Sequence, residues 1–178
     1  AGVTDLKVGD RVIASIGHNG AREKVAVPAQ AIIKIPDSLD FDRAAGIIIT
    51  YGTALHALED RGSPKPGETL AVLGAAGGTG LAACELGKLL GLKVIACASS
   101  DEKLEFAKQH GAELTLNYGA DDLKEGLKKL TGGKGVDIIF DPVGAGYTEA
   151  ALRAIAWEGR FLVIGFAAGE IPKMPLNL

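Results

Sequence analysis

Short apolar runs alternate with amphipathic segments along the chain from residue 69 onward. The runs are almost continuously hydrophobic, which is typical of parallel strands covered on both faces. Strands are predicted at Thr69–Leu73, Lys93–Ala98, Leu114–Leu116, Val136–Phe140 and Arg160–Ile164. Helices are predicted between them, at about residues 79–91, 101–110, 121–131 and 146–156. With right-handed crossovers, this alternation predicts an α/β fold with a doubly wound parallel sheet of about five strands.

The first part of the chain has a different pattern. Strand-like pieces at Asp10–Ala14, Lys24–Val27 and Ala31–Ile35 are separated by Gly and Pro. Such short strands cannot close a barrel alone, so we expect the end of a β-rich domain that begins before Ala1. A helix capped by Asp40 or Asp42 is predicted to continue to Arg61–Gly62. We place the domain boundary between residues 43 and 44.

Composition and charge narrow the classes of function. The 178 residues are 47% hydrophobic and 23% charged, with a net charge of −3, as in an ordinary soluble domain. This balance disfavours a nucleic-acid or membrane partner. No apolar run could span a bilayer and no signal peptide opens the sequence, so a cytoplasmic location is expected. Cys84 and Cys97 are predicted to be small buried hydrophobic residues in a reducing compartment.

A glycine-rich turn, Gly74–Gly80, lies between the first predicted strand of the sheet and a helix of small residues. Gly77 and Gly80 occupy the last two glycine positions of the G-x-G-x-x-G fingerprint, and Ala75 replaces the first. Amides at such a helix start bind phosphates. Many α/β proteins use a glycine turn merely to reverse the chain, but the strand–turn–helix placement favours a dinucleotide site.

The residues after the second strand of the sheet favour NADP(H). An NAD site places a carboxylate at the end of that strand, where this chain has Ala98, followed by Ser99, Ser100 and Lys103. The hydroxyls and the cation would suit a 2′-phosphate. Two alternatives stay open: Ser99 and Glu102 have the spacing of a capping box, and Asp101 would favour NAD if it turned inward.

Together these residues resemble the medium-chain dehydrogenase/reductase superfamily, in its zinc-independent quinone oxidoreductase (zeta-crystallin-like) branch. The resemblance covers nearly the whole chain. Its main motifs are Val8–Val12, Ala44–Leu55, Gly74–Gly80, Ala98–Leu104, Leu116–Tyr118, Asp141–Gly144 and Gly159–Phe166.

The resemblance implies a GroES-like catalytic domain, of which residues 1–43 would be the remnant. Residues 44–178 would form an NADP(H)-binding Rossmann domain without its last strand. Family members often form a homodimer through that strand, so its absence from this chain counts against the usual dimer and leaves an open sheet edge.

The resemblance also implies roles for individual residues. The diphosphate would be cradled by Ala76, Gly77, Gly78 and Thr79, and the 2′-phosphate by Ser99, Lys103 and Tyr118. The nicotinamide end would meet Thr50 and the backbone of Gly165, Phe166 and Ala167, and Val143 would lie beside the cofactor. Simpler roles remain open for three of them: Tyr118 as an exposed loop aromatic, Val143 as a turn hydrophobe and Thr50 as a helix-cap hydroxyl.

No metal site is predicted, because residues 44–50 lack a cysteine ligand and His18, His56 and His110 form no ligand motif. The expected activity is reduction of a quinone or α,β-unsaturated carbonyl by NADPH, with the catalytic residues left unassigned. The alternatives are a non-catalytic nucleotide-binding module and an RNA-binding protein. The acidic balance counts against RNA.

Overall fold

The computed structural model describes residues 2–175 and residue 177. The chain divides into two compact units, residues 1–49 and residues 50–178. In the first unit, β1 (Val12–Ala14) pairs antiparallel with β2 (Ile32–Lys34), and a 3-10 turn at Ala29–Ala31 precedes β2. The strand predicted at Lys24–Val27 is wrong: this segment is irregular and mostly exposed, and no described strand pairs with it.

The long helix predicted after Asp40 is confirmed. It comprises α1 (Phe41–Leu55) and a π-helical continuation, His56–Gly62. Of the two predicted caps the structure selects Asp40, whose carboxylate accepts a hydrogen bond from the Arg43 amide at 2.8 Å. The first turns of α1 belong to the first unit and its residues from Thr50 onward to the second.

The second unit is a parallel sheet covered by helices. Its strands are β3 (Thr69–Leu73), β4 (Lys93–Ala98), β5 (Leu114–Asn117), β6 (Val136–Asp141) and β7 (Ile155–Val163). Its helices after α1 are α2 (Gly78–Leu89), α3 (Asp101–Gln109), α4 (Leu123–Leu130) and α5 (Gly146–Leu152). The strand order is β5-β4-β3-β6-β7 and every pairing is parallel. The predicted doubly wound α/β sheet is therefore confirmed.

The last helix and strand differ from the prediction. Helix α5 ends at Leu152 instead of continuing to residue 156, and β7 begins at Ile155 instead of Arg160. The physical reason is strand pairing: Ile155 lies opposite Val136, and after a register shift Arg160 lies opposite Ile138. The intervening bulge carries Trp157, which is 93% exposed.

The core lies on both faces of the sheet. Every residue of β6 is buried, and so are Leu70 to Leu73 of β3. Helix α2 packs closely, since a Cβ added to Gly87 would lie 2.7 Å from the Leu70 side chain.

Cys84 and Cys97 are buried free thiols. Burial, followed by the charge of Glu85, raises the pKa of Cys84 to about 12, so this thiol stays protonated at neutral pH.

Candidate functional site

The turn between β3 and α2 is tight, and glycines make it so. Gly74 has a positive φ of 59°, and its carbonyl oxygen accepts a hydrogen bond from the Gly77 amide at 2.9 Å. A Cβ added to Gly80 would lie 2.4 Å from the same oxygen, so only glycine lets α2 approach this closely. Ala75, at the first fingerprint position, is fully buried and donates its amide to the Cys97 carbonyl.

The start of α2 provides the amides for an anion. Because Gly77 is the N-cap, the amides of Gly78 and Thr79 have no acceptor within the helix. The Gly77 amide is already donated to Gly74, which leaves the following amides for a phosphate. Thr50 lies beside this turn, since a Cβ added to Gly78 would come within 3.2 Å of its methyl carbon.

A cleft of about 450 Å³ opens next to this turn. It lies at the carboxyl ends of neighbouring parallel strands, where doubly wound sheets bind their ligands. Its walls come from the phosphate turn, the junction of β4 with α3, and the loop after β5. The lining residues are Gly74, Ala76, Gly77, Ala98, Glu102, Lys103, Phe106 and Tyr118.

Lys103 lines this cleft and contacts the neighbouring Ser99. The Lys103 ammonium donates to the Ser99 hydroxyl at 3.1 Å. The N-cap of α3 is Ser100, whose hydroxyl accepts from the Lys103 amide at 3.5 Å. The capping box considered for Ser99 and Glu102 is therefore wrong, and the Ser99 hydroxyl contacts Lys103 instead.

Asp101 does not line the cleft. Its carboxylate accepts a hydrogen bond at 2.8 Å from the side-chain amide of Asn117, at the end of β5. This contact ties the start of α3 to the neighbouring strand. The Asp101 carboxylate, which would favour NAD if it turned into the cleft, is therefore held by Asn117.

Tyr118 is half-buried, which makes the alternative of an exposed loop aromatic wrong. Its ring packs against Tyr147 of α5 with the centroids 4.6 Å apart. Burial raises the pKa of the Tyr118 hydroxyl, and Tyr147, Cys97 and Asp141 add to this effect. Tyr118 is therefore a neutral hydrogen-bond donor at physiological pH.

The turn after β6 lies against the phosphate turn. A Cβ added to Gly74 would come within 2.9 Å of a Val143 methyl carbon. The segment after β7 is tied to this turn by backbone hydrogen bonds, from Ala167 to Pro142 at 3.0 Å and from Ala168 to Val143 at 2.9 Å. The Gly165 amide is likewise donated to the Asp141 carbonyl at 3.3 Å. The Phe166 carbonyl in turn accepts from the Gly169 amide at 2.8 Å. Gly165 and Ala167 can therefore offer their carbonyl oxygens, rather than their amides, to a ligand.

Three site residues were not predicted from the sequence. Phe106 follows Lys103 by three positions on α3, so the helical period could have placed it on the same face. Glu102 was assigned only a capping role, yet it lines the cleft. Tyr147 carries no sequence signal, because its contact with Tyr118 arises from strand order.

The described residues contain no group of three His, Cys, Asp or Glu side chains that could hold a metal ion. His56 contacts Asp60 at 2.6 Å and accepts a hydrogen bond from Arg61 at 3.4 Å. His110 contacts Glu85 at 2.6 Å, and Glu85 also accepts from the Tyr51 hydroxyl. The two cysteines are buried within the sheet and α2. These residues do not fit a zinc site.

None of the helices in the described part of the chain combines the length and apolar character that a bilayer crossing requires.

Comparison with known proteins gives consistent relatives. Residues 78–178 match the family described as zinc-binding dehydrogenase. Quinone oxidoreductase-like protein 2 of Bos taurus is 44% identical over 177 residues, which cover 99% of this chain and 51% of that protein. The 2-haloacrylate reductase of Burkholderia sp is 35% identical, over 94% of this chain and 51% of that protein.

A solved structure shows the same fold. The crystal structure of Escherichia coli quinone oxidoreductase complexed with NADPH has a TM-score of 0.89 and 33% identity to this chain. The match covers 99% of this chain and 54% of that protein. The chain thus spans about half the length of the relatives it matches. By the family match and these relatives, the chain belongs to the zinc-binding dehydrogenase family of the medium-chain dehydrogenase/reductase superfamily, in the quinone oxidoreductase-like branch that does without zinc.

Proposed function

We propose that this chain is the cofactor-binding part of an NADPH-dependent oxidoreductase that reduces a quinone or an α,β-unsaturated carbonyl. The observation that carries the proposal is the pairing of Lys103 with Ser99 at a cleft that also contains the phosphate turn. A cation and a hydroxyl at the end of β4 complement the 2′-phosphate that distinguishes NADPH from NADH.

The surrounding charges support this preference. The Asp101 carboxylate accepts a hydrogen bond from Asn117 and does not line the cleft, where it would repel a 2′-phosphate. Tyr118, kept neutral by its raised pKa, adds a hydroxyl donor to the same cleft. Glu102 is the opposing charge in the lining, and Lys103 is the cation that offsets it.

The diphosphate is assigned to the start of α2. The amides of Gly78 and Thr79 and the positive end of the helix dipole would hold it, and Ala76 and Gly77 would bring the backbone close. Gly80 keeps the helix against the turn, since any side chain there would collide with Gly74.

The domain boundary after residue 43 and the GroES-like origin of the preceding residues belong to the same proposal.

When bound, NADPH would supply a hydride from C4 of its dihydronicotinamide. The contribution of this chain is orientation: Val143 would lie along the cofactor, and the carbonyls of Gly165 and Ala167 would accept hydrogen bonds from the carboxamide. Thr50, beside Gly78, would bound the cofactor on the α1 side. These contacts fix the ring relative to an acceptor and exclude water from the transfer.

The acceptor class is supported by the relatives. One is described as a quinone oxidoreductase-like protein and another as a 2-haloacrylate reductase, whose named substrate carries a conjugated carbon–carbon double bond. Both kinds of acceptor take up hydride at an electron-poor conjugated system.

Steady-state oxidation of NADPH by the full-length protein, with a panel of quinones and enones, tests the proposal. We expect oxidation to depend on the acceptor and NADPH to be preferred over NADH. Oxidation of NADPH at the same rate without any acceptor, or an equal rate with NADH, would contradict it.

A further inference from the structure

Asp141, at the end of β6, is a buried carboxylate that the proposed function has not used. It is 2% exposed and lies where the strand runs into the turn that carries Val143. Burying a carboxylate is unfavourable unless hydrogen bonds satisfy it, so its partners are informative.

The partners of Asp141 lie on the next two elements. One carboxylate oxygen accepts hydrogen bonds from the amides of Val143 at 2.8 Å and Gly144 at 3.0 Å. The other accepts from the hydroxyl of Thr148 in α5 at 2.6 Å. Thr148 is itself only 1% exposed. The carboxylate therefore fixes the turn after β6 and fastens it to α5.

The backbone of the same turn holds the segment after β7. The Asp141 carbonyl accepts from the Ile164 amide at 2.9 Å, and the Ala145 amide donates to the Glu170 carbonyl at 3.2 Å. Between these two contacts lie the bonds that Ala167 and Ala168 donate to Pro142 and Val143. The turn of Val143, assigned to lie along the cofactor, is thus joined to the segment assigned to its nicotinamide end.

Close packing makes this arrangement intolerant of movement. A Cβ added to Gly144 would lie 3.0 Å from the Phe166 ring and 3.1 Å from the Glu170 carbonyl. Val143 is in equally close contact with the phosphate turn at Gly74. A shift of the turn would therefore be transmitted to both neighbours.

We propose that Asp141 and Thr148 are positioning residues that hold the wall of the nicotinamide half of the site, an inference that rests on the proposed cofactor function. Neither side chain contacts the cofactor in this account. They act through Val143 and residues 165–167, whereas the 2′-phosphate is assigned to Ser99 and Lys103 at the start of α3, in another part of the fold.

The test compares two substitutions in the full-length protein, Thr148→Val and Thr148→Ser. Valine keeps the volume and removes the hydroxyl, which leaves one oxygen of Asp141 without its donor, whereas serine keeps the hydroxyl. Binding of NADPH and of 2′,5′-ADP, which lacks the nicotinamide half, is measured by titration. We expect Thr148→Val to weaken NADPH binding about tenfold and 2′,5′-ADP binding by less than about twofold. Thr148→Ser should bind both ligands as the wild type does.

Equal NADPH affinity in the valine and serine variants would overturn the inference while leaving the cofactor function intact. Equal weakening of both ligands would also overturn it, because that result indicates a general loss of structure. A wild type that binds neither ligand would overturn the proposed function and this inference together.

A second substitution, Asp141→Asn, covers the case in which Thr148→Val does not fold. The asparagine oxygen can still accept from the Val143 and Gly144 amides, but the bonds are no longer charge-assisted. We expect NADPH binding to weaken severalfold with 2′,5′-ADP binding unchanged. NADPH binding as tight as in the wild type would contradict the inference.

Discussion

In the proposed function, the side chain of Lys103 sets the preference for NADPH over NADH. Its ammonium group is 3.1 Å from the Ser99 hydroxyl, while its backbone amide is used by the cap of the same helix. The lysine is exposed, so its charge is available to a ligand without a large desolvation cost. A 2′-phosphate there would accept from both the ammonium and the hydroxyl.

Substitution of Lys103 by methionine should reduce NADPH affinity and leave NADH affinity nearly unchanged. The loss of a hydrogen bond to a charged phosphate predicts a reduction of about tenfold to a hundredfold, measured as the Kd of each cofactor by titration. Lys108→Met is the matched control, since Lys108 is on the same helix and pairs with Glu105 instead of lining the cleft. Parallel losses of NADPH and NADH affinity would refute the assignment.

At this scale the sequence predicted part of the site. Ser99, Lys103 and Tyr118 were named in advance, and the structure brings Lys103 into contact with Ser99 and places Tyr118 at the same cleft. The cap of α3 was assigned to Ser99 instead of Ser100, because two adjacent serines can both cap and only backbone geometry decides between them. The position of the Asp101 side chain depends on Asn117, which is distant in sequence and adjacent only through strand pairing.

Among the elements, β3 and β6 are joined by a polar clamp at their start. The Asp137 carboxylate accepts from the amide and the hydroxyl of Thr69, each at 2.8 Å, and from the Lys134 ammonium at 2.9 Å. Burial alone would raise the pKa of Asp137, but the hydrogen bonds from Thr69 and Lys134 together lower it below its ordinary value of 3.8. The clamp thus stabilises the centre of the sheet that carries the site.

Replacing Asp137 by asparagine should lower the free energy of unfolding at neutral pH by about 1–3 kcal/mol, because charge-assisted hydrogen bonds in a mostly buried clamp are lost. A carboxyl group with a lowered folded pKa stabilises the fold above its unfolded pKa, and this contribution disappears as the pH falls through the folded pKa. The difference between wild type and variant should therefore shrink below about pH 4.

Urea unfolding between neutral and acidic pH measures this difference. Asp121→Asn, at an exposed position before α4, is the control and should change little. A stability difference that stays constant down to pH 2 would show that the charge of Asp137 does not contribute.

The elements were predicted where periodicity was unambiguous. Strands β3 and β4 have the predicted bounds, since each is a short apolar run between turn signals. The sequence around Ala154 to Ala156 fits a helix or a strand equally well, and its pairing with β6 makes Ile155 the start of β7. Lys24–Val27 had a strand-like pattern with no described partner, and a pattern without a partner does not make a strand.

For the whole molecule, strand order is what assembles the site. The order β5-β4-β3-β6-β7 brings together the turns after β3, β4, β5 and β6, which are far apart in sequence. This explains why Tyr118 and Tyr147 meet, and why Val143 reaches Gly74. The family resemblance indicated Tyr118, Val143 and the glycine turn but not Tyr147, whereas hydrophobic periodicity alone indicated only the elements that carry them.

A crystal structure of the full-length protein with NADPH tests the central claim most directly. We predict that the diphosphate oxygens lie about 3 Å from the amides of Gly78 and Thr79. The 2′-phosphate should be within hydrogen-bond distance of the Lys103 ammonium and the Ser99 hydroxyl. A diphosphate bound away from the start of α2, or a 2′-phosphate directed into solvent without contact to Lys103, would contradict the account.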